Sequence, residues 1–184
     1  MYETDPATLR RTGQSRRSGS TEPKLSKRDR HELVSTLGDF AFFRRCSDGD
    51  IGALVDVGAP FVIPPNWALM LEKTPAHSCY AITHGTADVY IDRVKIAEIG
   101  PGDIVGEMAV LTGSLRRATV TSSSRLRGLR VDNDRLVQLF DRRPELLGVL
   151  RGAFEAHLPE SQRQRVRDLL RPGNFGLQPG FAPA

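Results

Sequence analysis

The chain is poor in cysteine, and its two, Cys46 and Cys79, stand 33 positions apart with no Cys-x-x-Cys spacing. That excludes a disulfide-stapled scaffold and a thiolate zinc site, and the expected setting is a reducing cytoplasm. No run approaches the roughly 20 apolar residues that a membrane-spanning helix needs, so no span is expected. The opening residues, MYETDPATLRRTGQ, hold no apolar stretch of the kind a secretory signal requires. A His-x-His pair is also missing. His31, His77, His84 and His157 are scattered, and they are expected to be turn or surface residues with no metal among them. The Ser/Thr-rich stretch Thr119–Ser124 offers no nucleophile–base spacing, so no catalytic residue, no cofactor and no enzyme are expected.

What is present suffices for one ordinary domain of about 100–150 residues with extensions. Apolar residues make up 39% of the 184 and charged residues 26%. The charge is concentrated at one end. Residues 1–30 carry eight basic side chains (Arg10, Arg11, Arg16, Arg17, Lys24, Lys27, Arg28 and Arg30) against four acids, which is the whole net charge of +4. The pI of about 9.4 therefore describes a tail and not a basic domain face, whereas nucleic-acid binders usually carry a basic stripe on the folded surface. Residues 1–28 lack apolar periodicity and read as a disordered basic tail.

Along the rest of the chain, Ser26 or Asp29 is placed to cap a short helix running to about Leu37. Phe40, Phe42 and Phe43 read as core plugs. Ser47 caps a helix over Asp48 to Val57, with Ile51, Leu54 and Val55 on one face. Strand-like segments follow at Phe61–Ile63, Trp67–Leu71 and Cys79–Thr83. Ala87, Val89 and Ile91 alternate with polar residues and, after Asp92-Arg93, Val94 to Ile99 completes a hairpin expected to bury one face. Ala118–Ser122 and Leu126–Val131 are two further strands. Many short strands at close spacing predict an antiparallel sandwich or barrel. Beyond Val131 the period becomes helical, with a helix capped by Asp132 or Asn133 and a second opened by Pro144 and ended at Pro159. The resulting division is a tail over 1–28, a domain over 29–157, and a polar helix with a Pro/Gly-rich end over 158–184.

The chemistry is concentrated in GPGDIVGEMAVLTGSLRRATV, Gly100 to Val120. Its glycines let backbone pass close to something bulky. A helical turn beginning at Glu107 would turn free N–H groups toward an anion. Arg116 and Arg117 supply guanidinium forks suited to phosphate, and Glu107 supplies an acceptor suited to a sugar hydroxyl. An anion and a hydroxyl on one small ligand fit a nucleotide.

This segment resembles the phosphate-binding cassette of the cyclic-nucleotide-binding domain family, approximately F-G-E-[LIM]-[AC]-L-L-x-x-x-x-R-[AST]-A-[TS]-V. Here it reads Val105-Gly106-Glu107-Met108-Ala109-Val110-Leu111, four residues, then Arg116-Arg117-Ala118-Thr119-Val120. The likeness extends over about residues 37–157. It implies an eight-stranded antiparallel jelly-roll β-barrel with N-terminal helices and C-terminal hinge and lid helices. It further implies that Glu107 accepts the ribose 2′-hydroxyl, that Arg116 pairs with the cyclic phosphate, and that amides at Gly106, Met108, Ala109, Arg117 and Ala118, beside Val105, complete the cradle. Leu150 and Phe154 are the lid candidates over the base.

The sequence departs from the family pattern at three places. Arg117 stands where Ala, Ser or Thr is usual, Leu71–His77 replaces a Gly-Asp-containing turn, and Pro159 interrupts the lid helix. A Thr or Ser at the position of Arg117 helps the family favour cyclic GMP, and a guanidinium cannot accept the bond involved, so cyclic AMP is the expected ligand. Only 27 residues follow His157, too few for a helix-turn-helix module, so no sequence-specific DNA binding is expected. The expectation is a regulatory signal-transduction sensor, a monomer or weak dimer, that passes ligand binding through its C-terminal helices to a separate effector protein. The alternative is a ligand-free jelly roll acting as a protein-interaction module.

Overall fold

Ser26 starts the first helix: its hydroxyl accepts from the Asp29 N–H at 3.1 Å. The computed structural model describes residues 25–107, 114–144 and Leu146. Residues 1–24, the cassette positions Met108, Ala109 and Val110, the lid candidates Leu150 and Phe154, and residues 158–184 lie outside that range. Helix α1 spans Lys27–Gly38, so it takes in Lys27 and Arg28, which composition alone assigns to the tail. A 3₁₀ turn, Ala41–Phe43, leads to α2, Asp48–Val57. There Ser47 Oγ accepts from the Asp50 N–H and the Asp50 carboxylate accepts from the Ser47 N–H, at 3.2 and 3.1 Å. Such a cap is worth about 1 kcal/mol.

Eight strands follow among the described residues: β1 Ala59–Ile63, β2 Ala68–Met70, β3 Ser78–His84, β4 Ala87–Ile91, β5 Val94–Ile99, β6 Ile104–Val105, β7 Thr119–Ser122 and β8 Leu126–Asp132. They form two four-stranded antiparallel sheets, ordered β1-β8-β3-β6 and β2-β7-β4-β5, the jelly-roll arrangement with flanking helices. The last described helix, α3, spans Asn133–Arg142. Among the described residues no helix is long and apolar enough to cross a membrane.

Strand periodicity divides the core in two. Ala81 on β3 and Leu129 and Val131 on β8 pack with Val34, Leu37, Phe43, Ile51 and Val55 of the N-terminal elements and with Leu136 and Phe140 of α3. The neighbouring positions Ile82 and Leu126 point the other way and meet Leu69, Ala87 and Val120 between the sheets. Full burial of each large aliphatic side chain contributes about 1.5–3 kcal/mol, so β3 and β8 anchor both layers at once.

Two details differ from the pattern read in the sequence. β5 is exposed along Val94 to Glu98, with Val94 at 64% and Ile96 at 54%, where alternation predicts one buried face. β5 is also the edge of its sheet, hydrogen-bonded to β4. β6 is too short to show any periodicity, and it exists because Val105 and Ile104 pair with Tyr80 and Ala81 of β3. The hairpin turn itself follows from local chemistry. Asp92 and Arg93 both take positive φ, 47° and 68°, as a two-residue turn between twisted strands requires.

Candidate functional site

The turn before the cassette is fixed from both sides. The Gly100 N–H donates to Asp103 Oδ2 at 2.8 Å, while the Gly102 N–H donates to Ile82 O and the Ile82 N–H to Asp103 O, at 3.0 and 2.9 Å. β6 then lies along β3 and delivers Gly106 (φ 81°) and the helical Glu107 beside the start of that strand.

Arg116 arrives from the far end of the cassette, and it is buried at 5% exposure. Its Nη1 donates to Gly106 O at 2.8 Å and its Nη2 donates to Ser78 O. Both acceptors are neutral carbonyls, so they orient the guanidinium without neutralising it. Burial draws its pKa below the ordinary arginine value, and the fields of Tyr80, Cys79 and Glu107 act in the opposite direction. An arginine remains charged under such a shift, so a cation is held here largely out of water. A Cβ on residue 106 would overlap Arg116 Nη1, which gives the glycine a steric reason beyond its positive φ. The bulky neighbour that the cassette glycine accommodates is therefore Arg116 itself.

Ser78 is buried and its hydroxyl donates to Tyr80 Oη at 3.0 Å. Cys79, between them in sequence, has its thiol pushed up to about 12, by burial first and the Glu107 charge second, so it is neutral at physiological pH. A cavity of about 30 Å³ lies on the helix side of β3, lined by Phe43, Leu54, Ala81 and Leu136 among others. It has room for about one water and is apolar, so it is a packing defect and not a nucleotide site. Among the described residues no group of three or more His, Cys, Asp or Glu is arranged to hold a metal ion.

Of the site residues expected from sequence, the fold brings Gly106 and Arg116 into contact and Glu107 within the electrostatic reach of Arg116; Val105 adjoins the first in sequence, and Arg117 and Ala118 follow Arg116. Arg116 and Arg117 are adjacent but differ in environment: the first is buried and the second exposed. Sequence reasoning missed Ser78, Thr74 and Lys73, which contact Arg116 through main-chain atoms. No side-chain signal announces them, since every residue carries a carbonyl.

The cyclic nucleotide-binding domain family matches this chain over residues 61–143, which span β1 through α3 and include both ends of the cassette. That segment belongs to the cyclic nucleotide-binding domain family. Solved structures share its fold. The N-terminal domain of a transcriptional regulator from Streptomyces coelicolor A3(2) superposes with a TM-score of 0.61 at 20% identity, over 75% of this chain and 99% of that one. A cyclic nucleotide-binding-like protein from Brucella abortus bv. 1 str. 9-941 gives 0.52 at 22% identity, over 60% and 98%.

Proposed function

We propose that the protein is a cyclic-nucleotide sensor that favours cyclic AMP and passes the binding event to a separate effector. The observation that carries this is Arg116, a buried guanidinium aimed by two neutral carbonyls within a sequence that matches the family's cassette. In this reading Arg116 takes the cyclic phosphate and Glu107 the ribose 2′-hydroxyl. Amides of Gly106, Met108, Ala109, Arg117 and Ala118 line the phosphate beside Val105, and Leu150 and Phe154 cover the base. The ligand enters a site whose cation is already desolvated and oriented, which lowers the cost of ordering it.

A second reading draws on the same contacts. Two N–H groups of Arg116 already staple Gly106 to β3, so the residue also serves a jelly roll that binds no ligand and acts through protein contacts. Calorimetric titration with cyclic AMP and cyclic GMP separates the two. The sensor reading expects saturable binding, tighter for cyclic AMP, and a loss of about 2–4 kcal/mol in Arg116→Ala, or roughly 30- to 1000-fold. No heat with either nucleotide establishes the scaffold reading, and a preference for cyclic GMP above tenfold overturns the role given to Arg117.

A further inference from the structure

We propose that Leu71–His77 is a strap that sets the position of Arg116, and that Glu72 is the positioning residue that fastens it. This deepens the sensor reading and rests on Arg116 being the phosphate ligand. The segment grips Arg116 by its main chain: the Lys73 N–H donates to Arg116 O and the Arg116 N–H donates to Thr74 O, both at 2.8 Å. One residue beyond the strap, Ser78 O receives the Arg116 guanidinium. The strap therefore fixes both the backbone and, through its continuation, the charged end of the same arginine.

Glu72 joins this grip to the rest of the domain. Its N–H donates to Thr119 Oγ1 on β7, and its carboxylate accepts the Asp92 N–H at the β4–β5 hairpin tip, both at 3.0 Å. The side chain is only 15% exposed, against 72% for Lys73 and 74% for Asp92. The Lys73–Asp92 pair at 2.9 Å is thus open to water and contributes little, and Lys73 Nζ lies 3.3 Å from the Glu72 carboxylate as well, whereas the better-shielded Glu72 oxygen reaches main chain on the hairpin. Lys73 takes a positive φ of 61° beside this clasp, a conformation that a non-glycine residue keeps only where contacts hold it. At its other end the strap reaches α3, where His77 O accepts the Asn133 N–H at 2.9 Å. Hairpin tip, arginine and C-terminal helix are thereby joined by one seven-residue segment.

Amide hydrogen exchange on the full chain tests this without ligand, and titration with cyclic AMP tests its consequence. In Glu72→Ala the Arg116 amide is expected to exchange at least tenfold faster while core amides such as Leu129 keep their protection, and cyclic AMP affinity is expected to fall about tenfold. Glu72→Gln keeps an oxygen for the Asp92 N–H and should restore both to within threefold of wild type. If Glu72→Ala does not fold, Thr119→Val, which withdraws the acceptor from the Glu72 N–H, is read the same way. Unchanged Arg116 exchange in a folded variant overturns the strap, and so does faster exchange with no loss of affinity. A wild type that binds neither nucleotide defeats the sensor reading instead, and the exchange measurement then decides the strap alone.

Discussion

The two faces of β3 do different work. On one face Ala81, with Cys79 packed alongside, lies in an apolar cluster with the N-terminal helices, β8 and α3. On the other, Ser78 and Tyr80 share a hydrogen bond at the strand's start, where the Ser78 carbonyl also takes the Arg116 guanidinium. Period-two alternation gives β3 an apolar layer on each side, and only the second carries Ser78 and Tyr80 at the strand's start, with Ile82 in the inter-sheet core beyond them. The lesson is that the buried charge is tolerated because carbonyls on the strand and on Gly106 supply its hydrogen bonds, while the apolar face supplies the free energy that holds those carbonyls in place.

That division can be tested from each side. Leu129→Ala empties a fully buried position on the apolar face and should cost about 2–5 kcal/mol in urea unfolding, with cyclic AMP affinity unchanged in the folded protein. A parallel tenfold loss of affinity would show that the two faces are coupled. Gly106→Ala acts on the other face: the new methyl meets Arg116 and the backbone sits at φ 81°. It should cost about 1–3 kcal/mol in stability and also weaken nucleotide binding, because the guanidinium must move. Loss of stability with full affinity would place the binding cation elsewhere.

The smallest expected effect lies far from the site and calibrates the comparison. Ser47→Ala should cost about 1 kcal/mol at neutral pH and leave binding untouched. Its hydrogen bonds hold the Asp50 carboxyl below the usual carboxylate range, with Arg143 adding to the shift. A carboxyl with a lowered folded-state pKa stabilises above its unfolded value of about 3.9, and that contribution is lost as pH falls through the folded value. The gap between Ser47→Ala and wild type should therefore narrow as pH falls below about 4, which acid-dependent thermal unfolding would show.

Much of the molecule is legible without coordinates, because it is written in local chemistry. Ser26 and Ser47 announce their helices through side-chain oxygens that reach N–H groups three residues on. Asp92-Arg93 marks a turn between an alternating run and a strand-like one, and the cassette spacing singles out Gly106 and Arg116, which the fold joins by a hydrogen bond. Asp132 is a partial case. Of the two expected caps, Asp132 or Asn133, it takes the capping position of α3, yet its side chain makes no capping bond; the Asn133 N–H goes to His77 O, 56 residues earlier.

What the amino-acid order determined by itself is therefore the identity of the elements and of the charged groups: which residues are helical, which alternate, and which arginine follows the glycine and the acid. Tertiary structure alone decided their partners. It left β5 exposed on both faces at a sheet edge, and it created β6 by laying two residues against β3. It also chose the carbonyls of Ser78 and Gly106 for Arg116, 38 and 10 positions away, and fastened Arg116 to Thr74 through main-chain atoms. The physical reason is that a carbonyl or an amide is common to nearly every residue and carries no sequence signature. Only the path of the chain in space determines which of them an arginine meets.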